Sequence, residues 1–310
     1  MNPDFIDQVS KLGKIPRREL VEKDIILHQI LADLSEDETF ANNFLFKGGT
    51  CLIKRYLGYY RFSEDLDFTW KRQEEFAERT KSQVVKYLEE VLERTGMMLE
   101  DIADRRNLDF KWDKGDRNYV ALSNGGRLTT FYIHYHSAVL KGNMDLKVQI
   151  NFMEELCMKP KYRALQSLIG EESRDLKGVF DEYNQYFSPI PFGLYDVAEI
   201  MSEKIRALLT RRGTKARDFL DVYLISKKFG INPKDIEDCT IKKIDFALRH
   251  YEKFRNNFAQ KRGHVEKGNV FEWGEEKDLL IMKINEKEFI GFIIQFTKYL
   301  QELVRLVNVK

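Results

Sequence analysis

Between residues 18 and 34 the apolar positions Leu20, Ile25, Ile26, Ile30, Leu31 and Leu34 recur at helical spacing, which predicts an amphipathic helix. Residues 44–46 are a continuous apolar triplet, read as a buried strand running into Gly48-Gly49. Residues 50–58 predict a short helix closed by Gly58. From 64 to 70 the pattern becomes strict alternation, with Leu66, Phe68 and Trp70 on one face and Asp65, Asp67 and Thr69 on the other. Residues 73–95 predict a charged helix that turns Phe76, Val84, Tyr87, Leu88, Val91 and Leu92 inward. From 97 to 152 the rhythm is that of strands, clearest over 128–139 and 144–152, which a turn at Lys141-Gly142-Asn143 separates. Beyond Pro189 and Pro191 it is helical: 194–212, then 216–230 closed by Gly230, then 241–258 and 286–308. The pattern predicts an α+β domain over residues 1–188, a mixed sheet with flanking helices, followed by a helical domain over 189–310.

Composition narrows the class. Charged residues are 33% and hydrophobic residues 43% of the 310, as in a folded, water-exposed protein. The net charge of +1 means that any nucleic-acid contact must come from local patches. Cys51, Cys157 and Cys239 lack C-x-x-C spacing, which argues against a zinc ribbon or a disulfide framework and fits a reducing, cytoplasmic setting. No apolar h-region opens the chain and no stretch approaches the length of a membrane span, so neither secretion nor insertion is expected.

The chemistry concentrates where alternation places Asp65 and Asp67 side by side. Two carboxylates on one strand face repel and lose hydration; a divalent cation, Mg²⁺ or Mn²⁺, offsets that cost. Gly48-Gly49, between strand and helix, lets backbone approach a ligand, and a helix N-terminus attracts phosphate. Thr50 adds a hydroxyl there. A glycine pair that cradles a triphosphate beside an acid pair that holds a metal is a workable site for phosphoryl or nucleotidyl transfer. The bland alternative is a glycine turn next to a solvated acidic strand edge. Further on, Lys204 lies among Ile200, Met201, Ile205 and Leu208, so its stem packs while its ammonium reaches outward. Arg211, Arg212, Lys215 and Arg217 make the next turn basic, and Asp218 and Asp221 share a helical face. Lys204 then either neutralises a nucleotide phosphate or joins Arg217, Asp218 and Asp221 in an ion-pair network between two helices.

These residues carry a resemblance. Gly48-Gly49-Thr50 followed by Arg61, Phe62, Ser63, Asp65, Asp67 and Phe68 resembles the nucleotidyltransferases of the DNA polymerase β superfamily, and more narrowly the AbiEii/AbiGii-type abortive-infection toxins. Val21-Glu22-Lys23-Asp24 resembles that family's N-terminal helix start. Glu203, Lys204, Ala207, Leu208, Arg217, Asp218 and Asp221 are similar to its second signature. The resemblance covers roughly residues 20–230 and leaves 231–310 without a motif. It implies a nucleotidyltransferase that moves NMP from an NTP to an RNA, tRNA included, or to a protein side chain. It further implies a toxin of a toxin–antitoxin or phage-defence pair whose antitoxin is a separate protein. Asp65 and Asp67 are the implied metal ligands; Gly48, Gly49, Thr50, Arg61, Ser63 and Lys204 the implied nucleotide contacts; and Lys204, Asp218 and Asp221 join the aspartate pair in catalysis.

One departure stands out. The superfamily often supplies a third acid from a later strand, yet over 144–152 the central positions are Lys147 and Gln149, with Asp145 as the remaining candidate. Two rival functions follow: an NTP-sensing module without turnover, and a transferase that moves the γ-phosphate. His134 and His136, two apart on a strand, are either a metal pair or a hydrogen-bonded sheet face. Residues 249–264 interleave Arg and Lys with Tyr251, Phe254 and Phe258, either to stack a base or as an amphipathic helix.

Overall fold

The computed structural model describes residues 1–310 except 78, 171–173, 269 and 308–310. The chain forms two compact units, Met1–Met153 with Pro160–Leu194, and Glu154–Lys159 with Tyr195–Lys310.

The first unit runs α1 (Pro3–Gly13), α2 (Arg18–Glu36), α3 (Glu38–Asn43), β1 (Phe44–Lys47), α4 (Gly48–Cys51), β2 (Asp65–Trp70), α5 (Glu74–Ala77), α6 (Lys81–Arg106), β3 (Val120–Ser123), β4 (Leu128–His136), β5 (Asn143–Asn151), β6 (Lys161–Leu165), α7 (Arg174–Lys177) and β7 (Ile190–Leu194). Its seven-stranded sheet has the order β3-β4-β5-β2-β1-β7-β6. β2 pairs antiparallel with β1 and parallel with β5, so the sheet is mixed, as the apolar pattern predicts. The apolar faces of β1 and β2 meet in register at Phe46 and Phe68. Phe40 and Phe192 close on the Phe68 ring at centroid distances of 5.0 and 5.8 Å. Burying each such ring contributes about 1.5–3 kcal/mol, which makes this cluster the anchor that fixes the register of β2.

Three expectations are corrected here. Pro191 lies inside a strand, β7, rather than marking the passage to helices. β7 meets β1 in register only near its end, at Leu194, so the missing proline N–H falls outside that overlap. The helix expected over 73–95 starts later, at Lys81 behind a Thr80–Gln83 capping box, and continues to Arg106. It passes through Gly96, one residue beyond the predicted helix end, which is a packing position. A Cβ at Gly96 would overlap the Trp112 ring. Gly96→Ala is therefore expected to lower stability by about 1–3 kcal/mol through overpacking, despite alanine's better helix propensity. A lowered melting midpoint checks it.

The second unit contains α8 (Val197–Thr210), α9 (Ala216–Phe229), α10 (Glu237–His250), α11 (Glu252–Glu266) and α12 (Glu286–Leu306). Asp196 caps α8 by accepting from the Ala198 N–H, and Gly230 at φ 68° closes α9. The single helix expected over 241–258 is two, broken where Tyr251 turns extended. Arg255 stabilises the break by donating to the Leu248 carbonyl at 2.6 Å, which satisfies an otherwise orphaned helix end. Tyr251 and Phe258 are buried, so these rings pack inward instead of offering stacking platforms. The expectation of unpaired cysteines also fails for two of the three. Cys157 and Cys239 form a disulfide within this unit, their Cα atoms 5.8 Å apart, while Cys51 is free and buried. Their spacing of 82 residues hides the pair in sequence. Among the described residues no helix is long and apolar enough to cross a membrane.

Candidate active site

Strand alternation is realised in β2: Leu66 and Phe68 are buried, and Asp65 and Asp67 are half-buried on the opposite face. The antiparallel register sets Lys47 of β1 beside Asp67. On the other side, β5 sets Lys147 beside Asp65 and Gln149 beside Asp67. The aspartates thus sit between cationic and neutral neighbours, which lowers the cost of two adjacent charges. No carboxylate occupies the β5 positions opposite them. Asp145 lies one alternation further along β5 and pairs across to His134. Lys47 was not singled out in the sequence; period-two alternation of β1, combined with its register against β2, is the signal that would have found it.

The glycine pair closes directly over this face. Gly48 has φ 76°, the left-handed region that glycine enters without penalty, and a Cβ there would overlap Asp67 Oδ2. At Gly49 a Cβ would come within 2.8 Å of Arg61 Nη2 and 3.0 Å of Ser63 Oγ. Both glycines therefore leave room for the side chains that the motif brings together. Arg61 is fully buried and donates to the Phe62 carbonyl at 2.8 Å, which makes it a support under the glycine turn. Thr50 Oγ1 donates to the Asp65 carbonyl and ties the helix start to the acid strand. The helix then passes from α4 into a π-helical turn, Leu52–Leu57, closed by Gly58. Gly48→Ala is expected to displace the Asp67 carboxylate and weaken Mn²⁺ binding, besides costing about 1–2 kcal/mol for the left-handed backbone. Titration of Mn²⁺ into the two proteins checks it.

The residues fit a hard divalent cation. Two half-buried carboxylates share a face, and the bare Gly48 leaves open the space beside Asp67 that a methyl group would fill.

In the second unit Lys204 lies between two carboxylates, 2.7 Å from Asp218 Oδ1 and 2.8 Å from Asp221 Oδ2. Asp218 also accepts from Arg211 at 3.0 Å. The cation that joins the network is thus Arg211, not Arg217. Burial pushes the Asp218 carboxyl up, but Lys204 and Arg211 outweigh it and hold the group below its ordinary value. Asp218 lies in the first turn of α9, where the macrodipole favours a carboxylate, and the N-cap position belongs to Lys215. His134 and His136 are engaged separately, His134 Nε2 with the Asn118 carbonyl at 3.0 Å and His136 Nδ1 with Asn143 Oδ1 at 3.2 Å. Among the described residues the one group of three or more metal-type ligands is Cys157, Cys239 and Glu199. Both sulfurs there are in the disulfide, and Lys243 is paired to Glu199, so a cation is disfavoured.

Comparison with known proteins places the chain in a family. Residues 29–302 match the family model described as nucleotidyl transferase AbiEii toxin, type IV TA system. MenT4, a nucleotidyltransferase toxin from Mycobacterium tuberculosis H37Rv, has a similar fold with TM-score 0.61 at 16% identity, over 98% of this chain and 94% of that one. JHP933 from Helicobacter pylori aligns over 93% of this chain and 94% of its own at 15% identity, with a TM-score of 0.43. No curated protein sequence matches the chain.

Proposed function

Because the chain belongs to the AbiEii family of nucleotidyl transferase toxins, we propose that it moves NMP from an NTP to the 3′ end of an RNA, with tRNA as the candidate acceptor. The observation that carries this reading is the placement of Gly48-Gly49 against Asp65 and Asp67, with Gly48 abutting the Asp67 carboxylate. Asp65 and Asp67 are the residues to hold Mg²⁺ or Mn²⁺, which when bound neutralises triphosphate oxygens. Gly48, Gly49 and Thr50 present backbone amides at a helix start to the triphosphate. Arg61 and Ser63 support that turn from below. The acceptor hydroxyl bonds to the α-phosphorus as the bond to the pyrophosphate oxygen breaks, its proton passing to solvent.

Lys204, Asp218 and Asp221 act in this proposal as one element. The two carboxylates hold the ammonium in a fixed place within the second unit. By its family description the protein is the toxin of a type IV pair, and a separate antitoxin is its proposed partner.

Sequencing the 3′ ends of cellular RNA after expression tests the reading. Added nucleotides identify acceptor and base together; unaltered ends, with tight NTP binding, favour the sensing module instead. That second reading has one observation in its favour, the Lys147 and Gln149 positions where a third carboxylate is expected.

A further inference from the structure

The resemblance singled out Glu22, Lys23 and Asp24 as a helix start, but no function has yet been attached to them. They occupy consecutive positions near the N-terminus of α2. Successive helical residues point about 100° apart, so three in a row reach in three directions. Each of these finds a different loop. Glu22, fully buried, accepts from Ser137 Oγ and, at 2.7 Å, from the Ala138 N–H. Those residues begin the turn between β4 and β5. Lys23 pairs at 3.0 Å with Glu64, the residue immediately before Asp65. Asp24 pairs at 2.7 Å with Lys54, on the π-helical turn that continues from the glycine pair.

Topology gives the three contacts a common meaning. β2 and β5 are parallel and β1 is antiparallel to β2. The start of β2, the end of β1 and the β4–β5 turn therefore lie at one end of the sheet, the end that carries Asp65, Asp67 and Gly48. All three loops at that end are bolted to one helical turn.

The Asp24 contact is built for orientation. Lys54 is completely buried, and Tyr59 and Tyr186 also donate to the Asp24 carboxylate, at 3.1 and 3.0 Å. Burial lowers the Lys54 pKa, against the pull of Asp24. Apolar residues of similar volume often serve stability as well as a buried ion pair, so stability alone does not account for the Asp24–Lys54 pair.

We propose that Glu22, Lys23 and Asp24 are positioning residues that set the glycine turn, the entry to β2 and the β4–β5 turn relative to one another, and so fix the cation-binding geometry of Asp65 and Asp67. This deepens the proposed function and rests on it.

Asp24→Asn strands a buried ammonium and risks unfolding, so the discriminating variant is at the more accessible pair. Lys23→Glu is expected to weaken Mn²⁺ binding and lower kcat for nucleotide transfer about ten- to a hundredfold, as loss of a residue that orients metal ligands does. Its melting midpoint is expected to move little, because partly exposed pairs contribute about 0–1 kcal/mol to stability. Adding Glu64→Lys to that variant, which reverses the pair, is expected to recover most of both losses. Amide hydrogen exchange over residues 48–52 and 65–67 is expected to speed up in Lys23→Glu and slow again in the reversed pair. Exchange is read without ligand, so it judges the positioning role even if the wild type transfers nothing, an outcome that counts against the proposed function alone. Unchanged exchange in Lys23→Glu, or loss of function that the reversed pair does not recover, overturns the inference.

Discussion

Asp67→Asn is expected to reduce nucleotide transfer by at least about a hundredfold while changing unfolding free energy by less than about 1 kcal/mol. The amide keeps the shape of the carboxylate but loses the charge that holds a cation. A cation at such a site is worth several kcal/mol of transition-state charge stabilisation, and each 1.36 kcal/mol is tenfold in rate. Stability is spared because Asp67 is half-buried on the polar face of β2, while register is set by Phe68 on the other face. Steady-state kinetics beside thermal unfolding of the same variant measure both. Full activity in Asp67→Asn would falsify the metal assignment.

Lys204→Met carries the largest expected effect on stability. The side chains of Asp218 and Asp221 are 1% and 0% exposed, so removing the ammonium leaves two buried carboxylates without the cation they share. Breaking a buried pair in this way costs about 3–5 kcal/mol, because the uncompensated charge stays in a low-dielectric site. Adding Asp218→Asn and Asp221→Asn to the same chain removes the stranded charges and is expected to recover more than half of the loss. Denaturant unfolding of the two variants measures both effects. Equal stability of Lys204→Met and wild type would contradict the network.

The strand carrying the acids was legible because period-two alternation over 64–70 is short-range information: each residue's face follows from its neighbour's. The glycine turn was legible for the same reason, since Gly48 needs a backbone conformation that few other residues adopt. What the sequence hid is long-range. The partners of Asp67 on β1 and β5 depend on register, which is decided by pairings among Phe46, Phe68 and Phe192, far apart in the chain. The helix predicted over 73–95 runs on through Gly96, whose partner Trp112, sixteen residues away along the chain, supplies the reason for a missing side chain. The disulfide depends on two segments 82 residues apart. Lys204 with Asp218 and Asp221 lay between these cases: helical spacing left the ion-pair network as one of two readings, and Arg211 rather than Arg217 completes it, because a turn's path is not written in periodicity.

The central claim concerns which phosphate moves. Wild-type protein incubated with Mg²⁺, RNA and ATP, GTP, CTP or UTP labelled at either the α- or the γ-phosphate reads it directly. The account predicts that label from the α-position enters RNA while γ-label leaves as pyrophosphate. Transfer of γ-label to any acceptor, or tight binding of all four nucleotides with no label incorporated, would contradict it.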